Sequence, residues 1–268
     1  MLKTKAYRIE HGSNVKLDKI PTKDDGGLDK QQGEALFAEL SDRMAKQQML
    51  LYAQQKHALV IVLQAMDAGG KDSTIRHVFS PINPQGCHVI SFKSPNDHEL
   101  SHDYLWRVHK HTPARGEIAV FNRSHYEDVL IARVKKLVPK SVWSKRFDHI
   151  NAFEKMLTDE GTVVLKFMLH ISKDYQKQRL QRRLDRPEKQ WKFNPADIDE
   201  RQRWDDYQEA FAQTLSRTSF DHAPWYVVPA ERRWFRNLLI STVITQAMDK
   251  MDLKPPKLTY DPADIVIE

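Results

Sequence analysis

The sequence predicts an α/β protein, a parallel sheet of about five strands flanked by helices, on three observations. Five short apolar runs punctuate the 268-residue chain, longer polar or amphipathic stretches separate them, and the first run leads into a glycine–lysine loop. Strands joined by helix-length connections form β-α-β units, which demand a parallel sheet covered on both faces.

The first thirty or so residues are polar and contain "DDGG" (24–27), predicting an N-terminal arm or loop over 1–30. The runs "HALVIVLQA" (57–65), "CHVISF" (87–92), "EIAVFN" (117–122), "TVVLKFMLHI" (162–171) and "WYVV" (225–228) are short, continuous and apolar, as buried parallel strands are. The last long stretch, "RRWFRNLLISTVITQAMDKM", places Phe235, Leu238, Leu239, Val243 and Ala247 at the spacing of an amphipathic covering helix. Without an internal repeat or low-complexity linker, a single domain over 1–268 is the simplest organisation.

A hydrophobic content of 40% with 29% charged residues is that of an ordinary globular protein. No apolar run reaches membrane-spanning length, and "MLKTKAYRIEHGSNVKLDKI" is too polar for a secretory signal. Cys87 is the single cysteine, so no intrachain disulfide forms and a cytoplasmic location is expected. In "GCHVISF" it reads as a small core residue rather than a reactive thiol. The formal net charge of +6 favours an anionic partner without choosing among nucleic acid, nucleotides and polyphosphate.

"QAMDAGGKDST" (64–74) nearly spells the phosphate loop G-x-x-x-x-G-K-[ST]. Ala65 replaces the first glycine, and Asp72 stands where a metal-binding hydroxyl is usual, with Ser73 and Thr74 following. A preceding strand and a following helix, "STIRHVF", supply the context such a loop needs. The backbone N–H groups of Ala68, Gly69 and Gly70 and the helix N-terminus suit phosphate oxygens, and Lys71 neutralises them. Alternatively, Gly69-Gly70 is a simple turn and Lys71 a solvated side chain. Asp67 separates the two readings, because a carboxylate inside a phosphate-binding turn is costly unless a metal or proton transfer uses it. A turn-capping role for Asp67 is the plainer option.

The strand "EIAVFN" ends at Asn122-Arg123-Ser124, where open α/β sheets place their ligands. Arg123 suits bidentate phosphate contact. Glu127 lies within reach of a metal or nucleotide, whereas Asp128 fits better as a solvated first-turn acid. After the fourth strand, 173–210 is dense in cations, including Lys173, Lys177, Arg179, Arg182, Arg183, Arg186, Lys189 and Lys192. This reads either as a solvated basic helix or as a mobile lid bringing cations to a transferring phosphoryl group. Trp191 within it fits a packing anchor better than a platform for a base.

Together "MDAGGKD", "SFKSP", "HDYLWRVHKHTPARGEIAVFNRSHYEDVLIARV", "RPEKQWKF" and "RWDDYQEA" resemble the polyphosphate kinase 2 family from about Leu63 to Pro229. The resemblance implies a P-loop kinase fold similar to thymidylate kinase, with a helical lid. It implies Mg2+-assisted transfer of the terminal phosphate of inorganic polyphosphate to nucleoside mono- and diphosphates, AMP and ADP giving ADP and ATP. Within the family's G-x-D-x-x-G-K loop, Asp67, Gly70 and Lys71 match and Ala65 departs. The implied catalytic set is Asp67 (also the Mg2+ ligand), Lys71, Arg123 and Arg183. The implied phosphate and nucleotide contacts are Ala68, Gly69, Gly70, Asp72, Ser73, Thr74, Asn122, Glu127, Arg179, Arg182 and Arg186. Many relatives carry Asp-Arg-Ser-Trp-Tyr where this chain has Asn122-Arg123-Ser124-His125-Tyr126, which resembles the class III branch. Asn122 is no carboxylate, so metal or base duty falls on Asp67, with Glu127 as helper. Homo-oligomers, dimers or tetramers, are also implied, with no nucleic-acid or membrane partner.

Three rivals compete with this reading. One is a conventional ATP-dependent nucleotide kinase, and another a non-enzymatic P-loop module binding polyanions or nucleic acid, although no known base-readout pattern is present. The third is zinc hydrolysis, spelled by His98-Glu99-Leu100-Ser101-His102 as H-E-x-x-H, but no third histidine follows at metzincin spacing.

Overall fold

The computed structural model describes residues 2–267; residues 1 and 268 of the expected 1–268 unit lie outside the described residues. Strands β1 (Ala58–Ala65), β2 (Cys87–Ser91), β3 (Ile118–Asn122), β4 (Thr162–His170) and β5 (Trp225–Pro229) form one five-stranded sheet in the order β2-β3-β1-β4-β5, every neighbouring pair parallel. Each strand lies within a residue or two of its apolar run. All eight residues of central β1 are buried, which is why that run shows no polar alternation. β2 departs from the expectation of a buried strand. It is an edge strand hydrogen-bonded only to β3, and Val89 on it is 49% exposed. Cys87 is half-buried against the core, and burial pushes its thiol up to about 11, as expected of an inert cysteine.

The helices in chain order are α1 (Lys30–Gln54), α2 (Lys71–Val78), α3 (Asp97–Leu100), α4 (Trp106–His109), α5 (Ile131–Val134), α6 (Lys140–Asp159), α7 (Lys173–Leu184), α8 (Pro187–Gln190), α9 (Ala196–Gln202), α10 (Trp204–Thr218) and α11 (Arg233–Asp249). A capping box opens α1, with Asp29 accepting from the Gln32 backbone and Gln32 accepting from that of Asp29. α11 is not the amphipathic cover its spacing predicts. It is buried on nearly every side, from Phe235 to Thr245, because α1 packs over its outer face while the sheet takes the inner one. Two of its buried hydroxyls are satisfied within the helix, Thr242 Oγ1 donating to Leu238 O at 2.7 Å and Thr245 Oγ1 to Ser241 O at 2.9 Å, whereas the buried Ser241 Oγ has no partner among the described residues.

The polar N-terminal segment is an arm laid along the sheet's far edge. Ile9 N donates to Trp225 O at 2.9 Å, Arg8 bridges Tyr226, and Leu17 is buried. This covers the free edge of β5. His170, at the end of β4, donates from Nε2 to Leu17 O and Ile20 O at 3.0 and 3.2 Å and so anchors the arm beside α7.

The 173–210 segment divides. α8 and α9 contain no buried residue, whereas α10 buries Trp204, Tyr207, Ala210 and Phe211 and packs on α5 and α6. The surface-laid part therefore stops near Arg203, not at 210, because the apolar stripe of α10 commits it to the body. Trp191 is no packing anchor: it is 77% exposed, its Nε1 donating to Glu188 O and Lys192 Nζ lying 4.8 Å from the ring centroid. No helix among the described residues is long and apolar enough to cross a membrane.

Candidate active site

Parallel register decides which side chains meet. Leu63 pairs with Asn122 and Ala65 with Leu169, so the loop after β1, the turn after β3 and the start of α7 after β4 all leave the same carboxyl edge of the sheet. Ala65 keeps strand conformation, so the missing first glycine is no backbone defect. Its methyl is accommodated because Gly69 has none: a Cβ at Gly69 would lie 2.7 Å from Ala65 Cβ and 2.8 Å from Met66 O. The left-handed positions are Ala68 at φ +61° and Gly70 at φ +101°, and Gly70 caps α2. Strain at a non-glycine residue recurs at Arg123, φ +62°.

Asp67, Lys71, Arg123 and Glu127 converge. Arg123 Nη2 donates to Asp67 Oδ1 at 3.1 Å. Lys71 Nζ donates to Ala65 O at 3.2 Å, so its ammonium folds back beneath the loop. Burial, followed by the charge of Arg123, pushes Lys71 below the ordinary lysine value, with Asp67 and Glu127 opposing. Burial also opposes the charge on Arg123, but Glu127 and Asp67 more than offset it. The Glu127 carboxyl is raised, chiefly by burial, against the pull of Arg123 and Lys71. These mutual effects mark one electrostatic unit.

A cavity of about 240 Å³ opens beside this unit, with Asp67, Arg123, Glu127, Asp197, Glu200 and Tyr207 in its wall. The Asp197 carboxyl is raised by burial and then by Asp67. Among the described residues no three metal-ligating side chains are grouped as a cage. Mg2+ binds through one or two carboxylates and substrate phosphates rather than an all-protein cage. Asp67 and Glu127, turned to one cavity and repelling each other, are the carboxylates that fit it.

The other sequence candidates have specific partners. Asn122 Nδ2 donates to Asp72 Oδ1 at 3.0 Å, and Lys192 Nζ lies 4.0 Å from Asp72 Oδ2. Ser73 Oγ accepts from Arg236 Nη2 at 3.4 Å. Thr74 is fully buried and its Oγ1 donates to Gly70 O at 3.1 Å, bracing the loop from within α2. Arg183 pairs with Asp197 at 3.1 Å and donates to Lys192 O at 3.2 Å, joining α7 to the chain around α9. Arg179 is half-buried, and burial, then Arg233, Arg182 and Arg183, lower its pKa. Arg186, ahead of Arg182 and Arg179, lowers that of Lys189. Among the described residues Arg179 and Arg182 on α7 and Arg186 just before α8 have no carboxylate within ion-pair distance, leaving a cationic surface along α7 and the turn after it.

Asp128 departs from the solvated reading. Arg146 Nη1 donates to its Oδ1 at 2.8 Å and its O at 3.0 Å, and burial raises its carboxyl to about 6. The H-E-x-x-H match outruns its helix: His98 and Glu99 lie on the single turn of α3, and His102 falls beyond its end. Glu99 accepts from the Asn96 backbone as part of a capping box and pairs with Arg107, while His102 stacks on Trp106 at 3.9 Å.

Two groups of residues escape local sequence reasoning. Buried Gln176 on α7 donates from Nε2 to Asp67 O at 3.0 Å, tying the loop to α7. Beneath the Arg123 turn, Lys166 on β4 is fully buried, pairs with Glu154 of α6 and donates to Tyr126 OH at 2.8 Å and Thr218 O at 2.6 Å. Tyr126 OH donates to Glu154 Oε1 at 2.8 Å, and His125 Nε2 lies 3.2 Å from the same oxygen. Burial pushes the Glu154 carboxyl up, but Lys166 and His125 more than offset it. A lysine inside an apolar strand was the available signal, since such a charge needs a partner.

Comparison with known proteins identifies the family. The family model described as Polyphosphate kinase 2 (PPK2) matches residues 27–256. The AMP/ADP-polyphosphate phosphotransferase of Meiothermus ruber is 50% identical over 98% of this chain and 100% of its own length. The ADP-polyphosphate phosphotransferase of Rhodopseudomonas palustris is 46% identical over 96% of this chain and 94% of its own. The crystal structure of Polyphosphate Kinase 2 from Arthrobacter aurescens superposes with a TM-score of 0.93 at 40% identity, covering 96% of this chain and 93% of that one. With its parallel sheet, its glycine–lysine loop and these likenesses over nearly its whole length, the chain belongs to the polyphosphate kinase 2 family.

Proposed function

We infer that this protein moves the terminal phosphate of inorganic polyphosphate to nucleoside mono- and diphosphates. The observation that carries the reading is the junction at Asp67, where a carboxylate, Lys71 and Arg123 meet between the cavity and the cationic face of α7. The loop and the α7 arginines hold the polyphosphate end, and the cavity admits the acceptor's phosphate. An acceptor phosphate oxygen attacks the terminal phosphorus, the bridging P–O bond breaks, and polyphosphate leaves one unit shorter. The nucleophile is already anionic, so no strong general base is needed. Lys71 and Arg123 neutralise charge on the transferring group's oxygens. Mg2+, held by Asp67 with Glu127 beside it, supplies further charge neutralisation when bound.

The segment Asn122-Arg123-Ser124-His125-Tyr126 and the likeness to an AMP/ADP-polyphosphate phosphotransferase support the class III branch and use of both acceptors. The reading also includes α7 to α9 as a lid, one domain, a homo-oligomeric assembly and a cytoplasmic location. Pure protein incubated with Mg2+ and long-chain polyphosphate is expected to convert AMP to ADP and ADP to ATP, followed by chromatography. Conversion with ATP as the only donor and none with polyphosphate would overturn it in favour of a conventional nucleotide kinase.

A further inference from the structure

We propose that Arg236, on α11, is a phosphate-holding residue of the loop, gripping the donor polyphosphate from behind Gly70. The proposal rests on polyphosphate being the donor. Arg236 is 2% exposed, yet among the described residues it has no carboxylate partner. Nε and Nη2 donate to Asn237 Oδ1 at 3.1 and 2.9 Å, and Nη2 also to Ser73 Oγ at 3.4 Å. Nη1 has no acceptor among the described residues. It adjoins the loop, since a Cβ on Gly70 would lie 2.5 Å from it.

Buried charges are normally paired, because leaving one unpaired forfeits hydration without return. Here the charged groups bearing on Arg236 make matters worse. Burial, and the nearby cations Arg233 and Arg179, lower its pKa to about 10, which still leaves it charged at neutral pH. A cation kept in that setting, with one N–H face directed at a glycine turn that caps a helix, is a site prepared for an anion. Arg179 of α7 and Arg233 of α11 extend the positive charge outward from it, as a chain of phosphates requires. Gly70 is then doubly constrained: φ +101° suits glycine, and any side chain would displace the guanidinium.

The test compares Arg236→Gln, which keeps amide donors for Asn237 and Ser73 but removes the charge, with Arg236→Lys, which keeps the charge without the fork. Both are made in the full chain and followed by thermal unfolding with and without long-chain polyphosphate, and by steady-state kinetics. Arg236→Gln is expected to unfold at or above the wild-type temperature without ligand and to lose at least about half of the polyphosphate-induced rise in Tm. Its KM for polyphosphate should increase about tenfold while the nucleotide KM stays within about twofold, with Arg236→Lys between. A lower ligand-free Tm together with an unchanged polyphosphate KM would make Arg236 a brace between α2 and α11 and overturn the proposal. Absence of any polyphosphate-induced rise or turnover in the wild type would instead overturn the donor assignment, and this inference with it.

Discussion

Lys71→Ala is expected to lower kcat by about 10²–10⁴-fold, the range seen when one charge-stabilising group is removed from a phosphoryl- or acyl-transfer site. The fold should survive. Among the described residues the ammonium makes one hydrogen bond, to Ala65 O, and burial disfavours its charge. Thermal unfolding of the variant should therefore match the wild type closely, while initial rates with saturating polyphosphate and ADP collapse. Asp67→Asn should lose about 10²-fold and need more Mg2+, because the amide keeps the volume but neither binds the metal nor neutralises Arg123. Rates within about threefold of wild type in either variant would remove that residue from the chemistry.

Lys166→Met is expected to have the largest effect on stability, about 3–5 kcal/mol, the usual result of removing one partner from a buried ion pair. The Glu154 carboxylate would stay buried with only Tyr126 OH and His125 beside it, and Thr218 O would lose its donor. Urea unfolding followed by far-UV circular dichroism measures this directly. Lys166→Met combined with Glu154→Leu should recover much of the loss, because no charge is then left without a partner. Activity should fall with the single substitution, since Tyr126 lies three residues from Arg123 on the turn that the network pins to β4. A loss under about 1 kcal/mol for Lys166→Met would show that the network does not carry the turn.

The strands were legible because a parallel strand covered on both faces must be a continuous apolar run, and β1 is such a run with every residue buried. The loop was legible because glycines, a lysine and a following helix are adjacent in sequence. What local pattern did not reveal depends on neighbours distant in the chain. The edge position of β2 follows from the sheet order, and its apolar run looks the same in either place. The burial of α11 on nearly all sides follows from α1 lying over it, so the apolar spacing of one helix understated its cover. Trp191 was misread because aromatic residues usually pack, whereas here it stays on a surface-laid segment without a buried residue. Within the site, Asp67, Lys71, Arg123 and Glu127 could be grouped because strand ends converge in this architecture. Gln176 and Arg236 could not, because each acquires its partner only when an element distant in sequence packs against it, and Lys166 and Glu154, on consecutive elements, meet only once α6 folds back over β4.

The most direct measurement is a structure of the protein crystallised with long-chain polyphosphate and ADP. The account predicts the terminal phosphate of the inorganic chain against the Gly70 backbone and Lys71 Nζ, and the phosphate end of ADP in the cavity bounded by Asp67, Arg123 and Glu127. Adenine nucleotide phosphates occupying the Gly69–Lys71 loop, with polyphosphate elsewhere or absent, would contradict it.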